Sequence, residues 1–221
     1  MKISLLDILL ASLALVVTVG ITWLLLVITS STLTGCLPLE FAGIAKIALF
    51  VLLLFLVTGL LLRLVRIICP MKDGSFPLDK GKEGASWKLQ GFLYIFNLGL
   101  FMNSYLIPVN LRGLLYSFLG ARIGKWVMIG GKILEPPLVE IGDYSQLGED
   151  VLLTAHTVER GMVTLGKIRI GRHVTIGVKA VIFPGVEIGD NAIIAAGSVV
   201  TKNSAVPMNE VWGGIPARKL K

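Results

Sequence analysis

Histidine and cysteine are scarce in this chain of 221 residues, which holds two of each. Zinc sites need three or four ligands from His, Cys, Asp or Glu at characteristic spacings, and no such spacing is present. The sequence therefore predicts no bound metal. A zinc carbonic anhydrase, which needs three histidine ligands, is disfavoured by the same shortage.

Charged residues are also scarce, at 16% of the chain, whereas 54% of the residues are hydrophobic. This balance lies outside the usual range for a soluble domain. Two runs, 5–28 and 42–68, each exceed the roughly 20 apolar residues that a helix needs to cross a bilayer. We expect a two-helix transmembrane anchor over 1–69. A cleaved signal peptide is the alternative for the first run.

Basic residues are distributed unevenly around these runs. The segment 29–41 has none, whereas Arg63, Arg66 and Lys72 begin a basic cluster at the C-terminal end of the second run. The positive-inside rule then places both termini and the C-terminal domain in the cytoplasm, at the inner membrane. Cys36 and Cys69 would lie on opposite sides of the bilayer. We attribute the net charge of +7 to contact with anionic lipid and not to nucleic acid, because no aromatic-rich basic stripe is present.

The composition changes twice before the C-terminal domain. Residues 70–86 are rich in Pro, Gly and charge and are predicted to form a linker. Residues 87–121 are predicted to form interfacial and amphipathic helices. Within them 89–111 carries no charge, so a third membrane span is the alternative, but the stretch is interrupted by Gln90, Asn97, Asn103, Ser104 and Pro108.

A six-residue period begins at Ile123. Of the thirteen positions 123, 129, 135, 141, 147, 153, 170, 176, 182, 188, 194, 200 and 206, twelve are aliphatic, and glycine follows many of them. This period is typical of a hexapeptide β-helix, in which three hexads form one triangular coil. The expected fold class is mainly β, a β-helix over 122–221 after two transmembrane α-helices. We expect the glycines to supply the permissive backbone of the sharp turns.

Two irregularities interrupt the period. Glu135 occupies a hexad position in "ILEPPLVE", where we expect the two prolines to form a corner that turns the carboxylate outward. The interval from Leu153 to Ile170 is not a multiple of six, which predicts a loop insertion over 154–169 with His156 at its root. Loops on rigid scaffolds often carry function. A histidine there suits a general base, and a surface or structural histidine is the alternative.

The segment from about 141 to 221 resembles the hexapeptide-repeat acetyltransferases, the group that includes galactoside, maltose, serine and streptogramin acetyltransferases. The resemblance lies in "IGDN", "AGSVVTK" and "GIPAR" near the C-terminus and in "LLTAHTV" before the insertion. It implies a left-handed β-helix, a homotrimer and acetyl-CoA in the groove between neighbouring chains. It also implies that His156 is the general base.

Further residues receive roles from the same resemblance. The pantetheine arm would approach Ala195, Ala196 and Gly197, and the CoA phosphates would meet Lys202 and Arg218. His173 stands near a position where the family often has tryptophan, which makes the acceptor pocket of this chain different. His173, Glu159 and Asp143 are candidates for lining the substrate, with a surface residue as the alternative for His173. The sequence leaves open which group orients His156: Glu159, Asp143, Glu149 or a group from a neighbouring chain.

These features together predict a membrane-anchored, CoA-dependent O- or N-acetyltransferase. The expected acceptor is a hydroxyl or amine of a sugar, a lipid-linked glycan or another envelope precursor. The alternative is a trimeric membrane scaffold without enzymatic activity.

Overall fold

The computed structural model describes residues 5–35, 38–99, 102 and 107–221. The chain divides into two compact units, one of residues 1–70 with 85–100 and one of residues 71–84 with 101–221. The helices are α1 (Leu5–Gly35), α2 (Leu39–Ile68), α3 (Gly81–Phe92), a π-helix (Leu93–Gly99) and α4 (Val109–Phe118). The expectation of a mainly β chain therefore holds only for the C-terminal part, because long helices dominate the N-terminal part.

Helices α1 and α2 pack against each other in the first unit. Their segments Asp7–Ser30 and Glu40–Ile68 are long and apolar enough to cross a membrane, and only 11% and 22% of the residues in an apolar 18-residue window of each are buried. A soluble core helix would be mostly buried. Since a signal sequence near an N-terminus shares this length and composition, the two helices are by themselves a weak indication of membrane association.

A small polar cluster joins α3 to the two long helices. Lys88 pairs with Asp7 at 2.6 Å. The side chain of Gln90 accepts a hydrogen bond from Arg66 Nε at 3.2 Å and donates to the Cys69 carbonyl at 3.2 Å. The beginning of the segment predicted to be interfacial, residues 87–92, is therefore helical, and polar contacts hold it against α1 and α2. Asn103 and Ser104, on which the choice between an interfacial helix and a third span partly depends, lie outside the described residues.

The second unit is built around three parallel sheets and one small antiparallel sheet. The parallel sheets have the strand orders β2-β5-β10-β13-β16, β3-β6-β11-β14-β17 and β4-β7-β12-β15, and β18 pairs antiparallel with β17. The bounds are β1 Gly74–Pro77, β2 Arg122–Ile123, β3 Met128–Ile129, β4 Lys132–Ile133, β5 Val139–Ile141, β6 Gln146–Leu147, β7 Leu152–Leu153, β8 His156–Glu159, β9 Met162–Leu165, β10 Ile168–Ile170, β11 Thr175–Ile176, β12 Val181–Ile182, β13 Glu187–Ile188, β14 Ile193–Ile194, β15 Val199–Val200, β16 Ala205–Val206, β17 Val211–Gly213 and β18 Arg218–Lys219.

Consecutive short strands enter different sheets, and strands of neighbouring coils stack in parallel. Ile123 pairs with Ile141, and Ile176 pairs with Ile194. The second residue of most strands points inward and is buried, as at Ile129 and Ile182. Aliphatic side chains at this spacing fill the prism and remove apolar area from water. These parallel sheets agree with the predicted hexapeptide β-helix.

The turn glycines serve a different purpose from the one expected. Gly142 has no positive φ, but a Cβ at this position would lie 2.7 Å from the carbonyl carbon of Gly171 in the next coil. Two residues later, Tyr144 adopts the left-handed region at φ 61°. The glycines therefore permit close coil stacking, and other residues carry the left-handed turn conformation.

The first coil departs from the six-residue register at Gly130 and Gly131. Strand β4 follows β3 after only two residues, so Ile133 takes the inward position assigned to residue 135 and is fully buried. Gly131 lies so close to the backbone of Val151 that a Cβ would have no space. The short corner moves Glu135 out of the hexad series.

Helix α4 covers the start of the β-helix. The Arg112 side chain donates to the Gly130 carbonyl at 3.1 Å, and the buried Tyr116 hydroxyl accepts the Ile133 backbone N–H at 3.2 Å. The helix thereby pairs backbone groups that the first coil leaves without a preceding coil.

The segment expected as a linker contains strand β1 and the beginning of α3. Strand β1 joins the hairpin of β8 and β9 in an antiparallel sheet with the order β1-β9-β8. The insertion at 154–169 thus contains a hairpin that is extended by β1, a strand that lies between α2 and α3 in the chain.

Candidate functional site

His156 is the first residue of β8, where the hairpin leaves the β-helix after β7. Its side chain is 23% exposed. The ring Nδ1 lies 2.5 Å from Glu135 Oε1 and 3.3 Å from the Thr154 hydroxyl. The predicted root of the insertion therefore carries a half-buried histidine held from the side of the first coil.

Glu135 points inward, so the expectation of an outward carboxylate is wrong. The residue is 5% exposed. Besides contacting His156, its Oε2 accepts the backbone N–H of Ala155 at 3.0 Å. Such hydrogen bonding compensates the cost of burying the carboxylate. The short corner before β4 brings the residue beneath Ala155 and His156, which lie 20 and 21 positions later.

The contact with Glu135 decides which nitrogen of the His156 ring carries the proton. An ionised carboxylate can only accept, so the His156 Nδ1 carries the proton of their hydrogen bond. In the neutral ring, Nε2 is then the nitrogen with the basic lone pair.

Sequence reasoning missed Glu135 as the residue that contacts His156. The three carboxylates considered, Glu159, Asp143 and Glu149, do not include it. The available signal was the single acidic residue among thirteen hexad positions, next to a double proline. Its place beside His156 follows the two-residue shift at Gly130 and Gly131, which the period alone does not reveal.

The hairpin beyond His156 is short and regular. His156 pairs with Leu165, and Glu159 pairs with Met162 across a two-residue turn. Arg160 and Gly161 both have positive φ, 50° and 78°, as a type I′ turn requires. At the tip, Glu159 forms an exposed ion pair with Lys202 at 3.0 Å. The structure thus places these two predicted site residues together and away from Glu135.

His173 and Asp143 lie on a different edge of the prism, between the first and second parallel sheets. The His173 backbone N–H donates to the Asp143 carbonyl at 2.9 Å. The His173 ring stacks on Tyr144, with centroids 5.0 Å apart and planes 9° apart. Asp143 Oδ1 accepts the Lys125 backbone N–H at 2.7 Å. Within one chain these residues are therefore separate from the corner that carries His156.

The residues expected to bind CoA occupy the last coils. Ala195, Ala196 and Gly197 form the corner between β14 and β15, with Gly197 at φ 66°. Lys202 follows β15, on the same edge as His156, and Arg218 begins the terminal strand β18. The side chains at this corner are small. Lys202 and Arg218 follow the corner in the chain.

Asp190 and Glu210, two acidic residues of the C-terminal coils, have lowered pKa values. The backbone N–H of Arg172, followed by its guanidinium, lowers the pKa of Asp190. Hydrogen bonds from Lys219 and then Trp212 lower the pKa of Glu210. Both carboxylates are therefore ionised acceptors at neutral pH, and Glu210 ties β18 to β17.

Within the described ranges no group of three or more His, Cys, Asp or Glu side chains is arranged to hold a metal ion. The His156 and Glu135 pair alone offers too few ligands for a structural zinc site.

Comparisons with known proteins show related repeats. Residues 167–202 match the family model described as the hexapeptide repeat of succinyl-transferase. A stretch of 112 residues, 50% of the chain, is 30% identical to the delta-poly-L-ornithine synthetase of Acinetobacter baumannii strain AB307-0294. The match spans 8% of that protein, so the chain is far shorter than this curated relative.

Similar solved structures include a hexapeptide-repeat acetyltransferase of Vibrio cholerae O1 biovar eltor complexed with acetyl coenzyme A. It is 30% identical, with 46% of this chain and 60% of that chain covered and a TM-score of 0.43. A galactoside acetyltransferase in complex with coenzyme A is 26% identical, with 71% and 88% covered and a TM-score of 0.48.

The family match falls on the coils of β10 to β15, which the structure shows as stacked parallel strands. It includes "IGDN" and "AGSVVTK", two of the motifs by which the sequence resembles acetyltransferases, whereas "LLTAHTV" and "GIPAR" lie outside it. The C-terminal domain of this chain therefore contains hexapeptide repeats and is similar in sequence to hexapeptide-repeat acetyltransferases.

Proposed function

We propose that the chain is a CoA-dependent O- or N-acetyltransferase with His156 as its general base. The observation that carries the proposal is the His156 and Glu135 pair at the hairpin root. A histidine whose Nδ1 is held by a buried carboxylate has the geometry of a positioned base.

The reaction follows from this arrangement. Nε2 of His156 takes the proton of the acceptor hydroxyl or amine as its oxygen or nitrogen attacks the thioester carbonyl of acetyl-CoA. The new C–O or C–N bond forms and the C–S bond breaks. The imidazolium, stabilised by Glu135, then returns the proton to the CoA sulfur, so the base is regenerated.

CoA binding is proposed for the last coils. The pantetheine arm would lie along Ala195, Ala196 and Gly197, whose small side chains allow close approach. Lys202 and Arg218 would meet the phosphates, which cations bind through charge-assisted hydrogen bonds. Lys202 would then exchange Glu159 for phosphate.

We propose a homotrimer of left-handed β-helices, with the donor in the groove between neighbours. In one chain, His173 and Asp143 lie on another edge of the prism from His156. If they line the acceptor, a neighbouring chain must supply them. A trimer thus reconciles these roles with their separation.

The two apolar helices support attachment to the inner membrane, with the acetyltransferase domain in the cytoplasm. An anchored enzyme is suited to an acceptor that is itself held at the membrane, such as a lipid-linked glycan or another envelope precursor. The length and apolar surface of α1 and α2 support this part of the proposal.

The direct test is transfer from acetyl-CoA by full-length protein in detergent, with and without a membrane lipid and glycan extract. His156→Ala should reduce extract-dependent CoA release by about 100-fold or more, because the base is lost. His173→Ala is the second variant, and we expect it to alter the acceptor KM more than kcat. Equal activity of His156→Ala and the native protein would exclude His156 as base. Absence of both release and CoA binding in the native protein would favour the trimeric scaffold.

A further inference from the structure

Strand β1 connects the part of the chain that follows α2 to the hairpin that carries His156. Gly74, Ser75, Phe76 and Pro77 pair with Leu165, Thr164, Val163 and Met162 of β9. Only residues 69–73 separate the end of α2 from the start of β1. A segment with the composition of a linker is therefore part of the structure around the proposed base.

Strand β9 has partners on both edges. Leu78 N–H donates to the Gly161 carbonyl at 2.9 Å, just beyond the paired strands. Because bonded pairs alternate along antiparallel strands, Val163 and Leu165 direct their backbone groups to β1. On the other edge, Gly166 N–H donates to the Ala155 carbonyl at 3.0 Å, which directs Met162 and Thr164 to β8. Without β1, the outer edge of the hairpin would have no strand partner.

Side chains close both ends of this pairing. Asp73 Oδ1 accepts the Lys167 backbone N–H at 2.9 Å, and the Ser75 and Thr164 hydroxyls are 2.8 Å apart. Val163 and Leu165 on β9 and Leu78 after β1 are buried. A two-stranded hairpin is marginally stable alone, whereas three strands with an apolar face are stable.

The contacts form a short path from β1 to His156. Asp73 holds Lys167, and the preceding residue, Gly166, holds Ala155. Ala155 also donates to Glu135, which contacts the His156 ring. The position of His156 is thus defined by the first coil on one side and by the β1-supported hairpin on the other.

We propose that β1 is a positioning strand, through which the segment following α2 holds the His156 hairpin in its reactive geometry, with Asp73 as the key side chain. This inference rests on the proposed function, because His156 must be the base for its position to matter. Removal of the anchor-side segment would then impair the chemistry as well as membrane attachment.

The test compares Asp73→Ala with Asp73→Asn and Asp79→Ala in the full chain. Alanine removes the acceptor for the Lys167 N–H, asparagine keeps an acceptor oxygen, and Asp79 is an exposed acid just after the paired segment. We expect Asp73→Ala to lower kcat for extract-dependent transfer about tenfold, since small displacements of a catalytic group are costly. The KM for acetyl-CoA should stay within about twofold. The other two variants should retain kcat.

A cross-link distinguishes positioning from loss of folding. Ser75 and Thr164 form a non-bonded pair, whose Cα atoms are about 4.5 Å apart in antiparallel strands, within disulfide range. Ser75→Cys with Thr164→Cys, in a chain with Cys36→Ser and Cys69→Ser, should restore kcat to Asp73→Ala when oxidised and lose it again when reduced. Transfer is followed with radiolabelled acetyl-CoA, which tolerates the reductant.

Three results would overturn the inference. Asp73→Ala could match Asp79→Ala in kcat, the oxidised cross-link could fail to restore activity, or Asp73→Asn could be as impaired as Asp73→Ala. In each case the proposed function would still stand if the native protein transfers acetyl groups and His156→Ala does not. A native protein without transfer activity would overturn both.

Discussion

Glu135 makes His156 more than an exposed histidine on a loop. The carboxylate accepts from the ring Nδ1 and from Ala155 N–H, so one buried group orders both the side chain and its backbone. Neither contact involves Glu159, Asp143 or Glu149, although these carboxylates are closer to His156 in the sequence than Glu135 is.

Replacement of Glu135 separates orientation from stability. In Glu135→Gln the amide keeps one acceptor but places an NH₂ group opposite the other donor, so we expect the wrong tautomer or a lost hydrogen bond and a kcat reduced about 100-fold or more. In Glu135→Ala the Ala155 N–H loses its partner, which should also lower the free energy of unfolding by about 1–3 kcal/mol.

Single-turnover rates and urea unfolding measure these two effects. Imidazole ¹⁵N spectra report the tautomer directly, and two histidines in the chain make the assignment simple, with His173 as the internal reference. Unchanged imidazole spectra and kcat in Glu135→Gln would contradict an orienting role for Glu135.

At the scale of elements, the hairpin of β8 and β9 links three parts of the molecule. Its root carries His156, its outer edge pairs with β1, and its tip reaches Lys202 through Glu159. The ion pair at the tip is exposed, so it contributes at most about 1 kcal/mol. It is therefore weak enough for a CoA phosphate to replace.

Glu159→Gln should tighten CoA binding by up to about fivefold, because Lys202 no longer has to leave a carboxylate. Isothermal titration of CoA into the detergent-purified protein measures the dissociation constant. Glu187→Gln is the matched control, since Glu187 forms a comparable exposed pair with Arg169 on the outer face of the first parallel sheet. Weaker CoA binding by Glu159→Gln, with the control unchanged, would argue against competition between Glu159 and phosphate for Lys202.

The whole molecule combines an apolar helical unit with a β-helix. In α1 and α2 the described side chains are largely exposed, which is costly in water and favourable in lipid. The basic residues after α2 favour a cytoplasmic position for everything that follows.

Cysteine labelling tests this topology. In the proposed topology Cys36 lies on the outer side of the membrane and Cys69 on the cytoplasmic side. A membrane-impermeant maleimide should therefore label Cys36 of a Cys69→Ser chain in intact spheroplasts. A Cys36→Ser chain should react only after permeabilisation, and its labelling in permeabilised cells shows that the half-buried Cys69 thiol is reactive. Labelling of both chains, or of neither, in intact spheroplasts would contradict the proposed arrangement.

The amino-acid sequence by itself determined the hexapeptide β-helix, the two long apolar helices and the insertion that begins near His156. Each depends on periodicity or on local composition, since inward positions of a coil and spans of a bilayer repeat one demand along the chain. Only the tertiary structure decided the partner of His156 and the role of residues 74–77. The two-residue shift at Gly130 and Gly131 removes Glu135 from the hexad series and leaves it buried at the corner beside His156, and β1 pairs with a strand nearly ninety residues away. Such contacts depend on which backbone groups remain unpaired after the coils have stacked, and no local pattern in the sequence encodes that choice.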